Sequence, residues 1–217
     1  MTPTRSRKRA ASARERRKLV DAVDGAEAKR LLSALLAAHP ELLAETADLA
    51  DAQLRAVVME DVAEDVASVL EELCVEDVWG RAGAQPDGSY VEPSEAAWDL
   101  VEETLAPYLR ELERRVALGR REEATAVCQG TLLGLYRISQ GGGDSLDGWA
   151  PDALAESAGI AVETWQKPGA RRPTREVGAR ERQAMRAFVS DALPAWRSFL
   201  TRAIGRMPTR SGSNGKR

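Results

Sequence analysis

The sequence predicts an all-α protein of seven or eight helices in antiparallel helical hairpins, forming a bundle or a short superhelical stack. Three observations predict it. Leucine and valine recur at three- and four-residue steps through most of the chain. No stretch sustains the period-two alternation of a strand bounded by turns. The breaks between apolar stripes fall at proline, glycine or a helix-capping residue.

Taken in order, residues 1–20 hold Arg5, Arg7, Lys8, Arg9, Arg14, Arg16, Arg17 and Lys18 with almost nothing apolar to bury, and predict a disordered or conditionally helical arm. Asp24-Gly25-Ala26-Glu27 has the form of a capping box, in which the Asp carboxylate accepts an orphan backbone N–H and the Glu reaches back. A helix starts there, carries Leu31, Leu32, Leu35 and Leu36, and stops near His39-Pro40, because proline disfavours a helical residue before it. A short helix over Glu41–Ala50 follows. Asp51 opens the clearest helix of the first half, with Leu54, Val57, Val58, Val62, Val66, Val69, Leu70 and Leu73 on one face and acids on the other.

From Trp79 to Pro93 the pattern breaks at Gly80, Gly83, Pro86 and Asp87-Gly88, predicting a loop with room for a small hairpin. Pro93 starts the next helix, whose stripe runs from Trp98 to Val116 and contains Pro107, where a kink is expected. Leu118-Gly119 closes it, and Glu122–Ser139 forms its partner. Gly130 and Gly134 share one face of that partner, at about 1 kcal/mol each relative to alanine, so another helix is expected to come close there. Gly141–Gly143 marks a hinge, Pro151 to about Gln166 a further helix, and Lys167–Gly178 a linker. The last helix, about Arg180 to Ile204, includes Pro194. The organisation read from this is a basic arm over 1–22, an acidic helical body over 23–140, a Gly-rich hinge over 141–150, C-terminal helices over 151–205 packing on the body, and a disordered basic tail over 206–217.

Charge follows the same divisions. Residues 1–20 sum to +7, residues 21–113 to −18 and residues 114–217 to +8, within a formal net charge of −3. Such a polarised chain has fields that attract polyanions, attract basic partners, or attract each other.

The segment Leu118-Gly119-Arg120-Arg121-Glu122-Glu123-Ala124, continuing to Cys128 and Thr131, resembles half of a tetratricopeptide-like repeat, over about residues 98–138. In that family a Gly ends the first helix, a small residue lies five later, and larger and small residues follow at four- and three-residue steps. The run Thr131–Tyr136 is similar to the second-helix stripe of bacterial helical-repeat proteins. The resemblance implies helical-hairpin packing and a surface that binds a partner.

Reactive groups are scarce. His39 is the single histidine, which removes most ways of building a catalytic base, a Ser–His or Cys–His pair, or a zinc site. Cys74 and Cys128 lie far apart among apolar neighbours and read as reduced, packed thiols. Gly141–Gly143 lacks the Lys-Ser/Thr of a phosphate loop. No catalytic residue, cofactor site or metal ligand is assigned. No apolar run approaches the roughly 20 residues of a membrane span, and Asp21-Ala22-Val23-Asp24 stands where a signal peptide has its apolar stretch, so a cytoplasmic protein is expected.

Two surfaces remain as candidates. Glu60, Asp61, Glu64 and Asp65 set like charges four apart, which costs a few tenths of a kcal/mol per pair. Such a row is a solvated face, a dock for basic segments, or a cation or acid/base site. The function expected is a non-catalytic scaffold that binds a partner protein through Asp61, Glu64, Asp65 and Glu72, together with Trp79 and Tyr90. Trp98 and Trp196 fall on core stripes, whereas Trp79, Trp149 and Trp165 sit beside loops as candidate anchors. The alternative is a nucleic-acid-associated factor whose basic arms, Arg5, Arg7, Lys8, Arg9, Arg14, Arg16, Arg17 and Lys18 foremost, contact phosphates. Homo-oligomerisation through the arm is left open.

Overall fold

The computed structural model describes residues 15–86, 88–141, 150, 152–169 and 177–205. The arm residues 1–14, most of the Gly-rich hinge with Trp149, and the tail 206–217 lie outside the described residues. Among the described residues there are ten α-helices and one two-stranded antiparallel hairpin. The chain divides into two compact units, residues 1–53 and 54–217, so the acidic body read over 23–140 is shared between both.

The first unit holds α1 (residues 15–21), α2 (Gly25–Ala38), a 3-10 turn at Pro40–Leu42 and most of α3 (Leu43–Arg55). The capping box at its start is formed: the Glu27 N–H donates to Asp24 Oδ1 at 2.7 Å, and the Asp24 N–H donates to Glu27 Oε2 at 3.3 Å. His39, before the proline, leaves helical geometry with φ −133° and ends α2. Neither α2, the 3-10 turn nor α3 buries a single side chain. The leucines of α2 recur on one side and are exposed, with Leu31, Leu32 and Leu35 at 56%, 44% and 46%, and on α3 Leu43 and Leu49 are 59% and 66% exposed.

The second unit continues with α4 (Met59–Glu71) and α5 (Val75–Arg81), the strands β1 (Gly83–Ala84) and β2 (Tyr90–Val91), then α6 (Pro93–Ala117), α7 (Arg121–Gln140), α8 (Ala153–Gln166), α9 (Ala179–Ala192), a 3-10 turn at Pro194–Trp196 and α10 (Arg197–Gly205). The helix expected to run from Asp51 through Leu73 is broken. Arg55 ends α3, and Val58 is extended at φ −112°, ψ 125°. Two successive β-branched valines weaken the helix there, and it restarts where Glu60 and Asp61 meet the unpaired N–H groups of a new first turn.

Three further differences account for ten helices against seven or eight. Part of the basic arm, residues 15–21, is helical. The short helix α5 forms because the Asp77 carboxylate accepts the Cys74 N–H at 2.9 Å, a cap that places Trp79 on a helix instead of in the loop expected from Trp79 onward. The last helix is divided at Pro194, whose ring drives Leu193 to φ −128°. By contrast α6 runs unbroken through Pro107, with Pro93 in its first turn. The small hairpin is formed in the register Gly83↔Val91 and Ala84↔Tyr90, turning through Gly88 at φ 87°.

One hydrophobic core fills the second unit, built from α4 to α10. Within it α4 packs closely on α7, where Met59, Val62, Ala63 and Val66 lie against the glycine face of α7. A Cβ placed on Gly130 would stand 2.5 Å from the Met59 carbonyl oxygen, the close approach its spacing predicts. Helix α6 packs on α7 across the turn at Gly119, which has φ 75°, and α8 packs on both. Trp165, expected beside a loop, is fully buried instead. Its Nε1–H donates to Thr125 Oγ1 at 3.0 Å and the Arg121 guanidinium lies 5.7 Å from its ring centre, so α8 is pinned to α7 through polar as well as apolar contact.

Candidate functional site

The acidic row is displayed by the same helix whose other face is locked to α7. With Ala63, Val66 and Leu70 turned inward, the helical period turns Asp61, Glu64 and Asp65 outward, and all three are exposed. Glu60, also exposed, is partly neutralised by an ion pair with Arg137 on α7. Asp65 lies toward α6, where Tyr108 is held above its ordinary phenol value, first by burial and then by the Asp65 charge. Glu72, at the end of α4, is exposed as well.

The two aromatic candidates are carried by later elements. Trp79 on α5 is 56% exposed and Tyr90 on β2 is 63% exposed. Their supports are well braced. Arg81 at the end of α5 pairs with Glu103 of α6 at 2.8 Å, a contact that raises the Arg81 guanidinium and lowers the Glu103 carboxyl through the shared hydrogen bond. Asp77 is lowered chiefly by the N–H it accepts from Cys74. Gln85 Nε2–H donates to the Arg81 and Gly83 carbonyls at 2.9 and 3.2 Å, which fixes the start of the hairpin. Thus Asp61, Glu64 and Asp65 share one helix face, Glu72 closes that helix, and Trp79 and Tyr90 stand on α5 and β2.

Of the basic candidates, Arg16, Arg17 and Lys18 are exposed on α1, with Arg17 4.0 Å from Asp21. Arg5, Arg7, Lys8, Arg9 and Arg14 lie outside the described residues. Trp98 is half-buried against the core and Trp196 is buried, as their stripes predict. Trp196 sits edge-on to Tyr136 at 5.3 Å.

One feature escaped sequence reasoning. A cleft of about 1080 Å³ opens beside the start of α7, lined by Arg55, Arg120, Arg121, Glu122, Glu123 and Glu181 among others. Its charges serve the fold. Arg121 donates to the Trp165 carbonyl at 2.9 Å and the Lys167 carbonyl at 3.4 Å, Arg120 lies 3.9 Å from Glu123, and Glu181 accepts the Gly178 N–H at 2.7 Å to start α9. The available signal was Arg120-Arg121 directly after a helix-ending glycine.

The two thiols differ sharply. Cys128 is buried, with its pKa pushed well up by desolvation and its Sγ 3.7 Å from the Ala161 carbonyl oxygen, whereas Cys74 is exposed. Among the described residues no three His, Cys, Asp or Glu side chains converge as a metal site requires, and no helix is long and apolar enough to cross a membrane. The chain matches no protein-family model, no curated protein and no solved structure.

Proposed function

We propose that this chain is a non-catalytic helical scaffold that binds a partner protein, and that α4 presents the contact surface. The observation that carries the reading is the contrast between the two faces of α4. One is fixed to α7 by glycine-mediated contact, and the other holds Asp61, Glu64 and Asp65 exposed at repelling spacing, with Glu72 beyond. A basic segment laid on that face relieves the repulsion and gives a contact that weakens with salt. Trp79 and Tyr90 supply apolar area of the kind that anchors protein interfaces. In this reading α6 and α7, joined through Gly119, form the helical hairpin on which the scaffold is built.

The test is co-purification from the native host with the tagged full chain and with a D61N/E64Q/D65N/E72Q variant. A partner retained at low salt, released at high salt and lost from the variant supports the reading. Equal recovery with both proteins overturns the assignment to α4.

A second reading, nucleic-acid contact through the arms, is favoured by the basic cluster of residues 1–20 and the exposure of Arg16, Arg17 and Lys18. It predicts a gel shift of arbitrary duplex at low salt that disappears when residues 1–20 and 206–217 are removed and that falls steeply with added salt. Absence of any shift at low salt removes it.

A further inference from the structure

The first unit carries exposed leucines on both of its longer helices. Helix α2 is closed by its capping box, yet Leu31, Leu32 and Leu35 are 56%, 44% and 46% exposed, and on α3 Leu43 and Leu49 are 59% and 66% exposed. Leu19 and Val20 at the end of α1 add 72% and 71%. Single exposed leucines are ordinary, but a set repeating on consecutive helices, in a unit where α2 and α3 bury nothing, marks a surface made to be covered.

Charge says what covers it. Residues 21–53 hold seven acids against Lys29 and Arg30, while Arg16, Arg17 and Lys18 stand directly before them on α1. A purely basic partner answers the acids and leaves the α1 cations facing like charge. A polyanion answers the cations and leaves the leucines wet. A second copy supplies at once an equal apolar face, acids for the cations and cations for the acids, which is the self-complementarity a two-fold interface requires. We propose that the unit over residues 15–53 is a homodimerisation element, in which the leucine faces of α2 and α3 from two copies pack together and α1 of each copy lies along the acidic 21–53 segment of the other. This assignment rests on the first unit alone and is independent of the α4 surface.

Sedimentation velocity of the full chain up to about 100 µM is the primary test, because association depends on protomer concentration. The expected result is a species of twice the 23.6 kDa chain mass, weakened by salt. A chain that stays monomeric throughout overturns the proposal and leaves a different protein as the occupant. Leu31→Glu with Leu35→Glu is expected to raise the dimer dissociation constant by about 100-fold with unchanged helical circular dichroism. A dimer indifferent to that pair places the interface elsewhere and overturns the proposal. Charge exchange guards against a folding artefact. R16E/R17E/K18E and E41K/E45K/D48K each dimerise poorly alone, and the mixture recovers a heterodimer, since both trans contacts are then again between opposite charges. Failure of the mixture to associate better than either variant alone overturns the trans arrangement of α1.

Discussion

Gly134 lies so close to Ala63 that a Cβ built on the glycine would stand 2.7 Å from the Ala63 carbonyl oxygen, with the Val66 Cβ also at 2.7 Å. That distance is shorter than real Cβ contacts, and one side of it is helix backbone that has no rotamer with which to yield.

Gly134→Ala is therefore expected to destabilise the protein by about 2 kcal/mol, although alanine is the better helix former, because α4 and α7 must be pushed apart. Gly159, inside α8 with nothing within 4 Å of its missing Cβ, provides the control: Gly159→Ala is expected to stabilise by about 0.5–1 kcal/mol. Urea unfolding midpoints of the two variants should move in opposite directions. A neutral Gly134→Ala would show that α4 does not approach α7 as described.

Thr125→Val removes the acceptor of the fully buried Trp165 indole N–H while keeping the side-chain shape. Stranding that donor is expected to cost about 1–3 kcal/mol, read as a lower unfolding midpoint. Thr125→Ser, which keeps the hydroxyl, should retain most of the stability.

Asp77 and Glu103 are both held below their ordinary values of 3.8 and 4.5, the first by the Cys74 N–H and the second by Arg81. Groups whose folded value is depressed bind fewer protons than in the unfolded chain, so their contribution is fully present above the ordinary values and is lost as pH falls through the folded ones. Melting temperatures of the wild type and a D77N/E103Q variant should differ at pH 6, and the gap should narrow as pH falls below the ordinary values of 4.5 and 3.8. A gap that stays constant as pH falls well below both ordinary values would mean that the two carboxylates stabilise by something other than charge.

Under native conditions only one of the two cysteines is expected to react readily with a thiol reagent. Cys128 is fully buried and its thiolate is disfavoured by desolvation, whereas Cys74 is exposed, although its hydrogen bond to Asp77 raises it and slows attack near neutral pH. Counting labelled thiols by mass before and after unfolding, with Cys74→Ser as the reference, measures this directly.

The elements legible in the sequence are those set by local chemistry. Asp24 and Glu27 announce α2, Pro93 announces α6, and Gly119 separates α6 from α7, because each acts within one turn of its own position. Gly130 and Gly134 went further and disclosed a tertiary contact, since two costly glycines on one face have few other uses. What stayed hidden depends on competition between segments. The stripe from Leu54 to Leu73 satisfies a helical period across Val57 and Val58, yet the chain breaks there. Trp165 borders a linker in sequence and is sealed by Arg121 and Thr125 in space. Leu31 and Leu35 have the periodicity of core residues, and periodicity tells which side of a helix is apolar without telling what lies over it. Of the acidic candidates, Asp61, Glu64 and Asp65 were placed on one face by spacing alone, but the ion pair of Glu60 with Arg137 joins helices that are neighbours only in the fold.

Among the described residues, the hydrophobic core draws none from positions 15–53. Substitutions in that stretch therefore leave this core intact, and what constrains its sequence is its own surface instead of its packing. The glycines that seat α4 on α7, by contrast, answer to packing alone and should be the last to change between related chains.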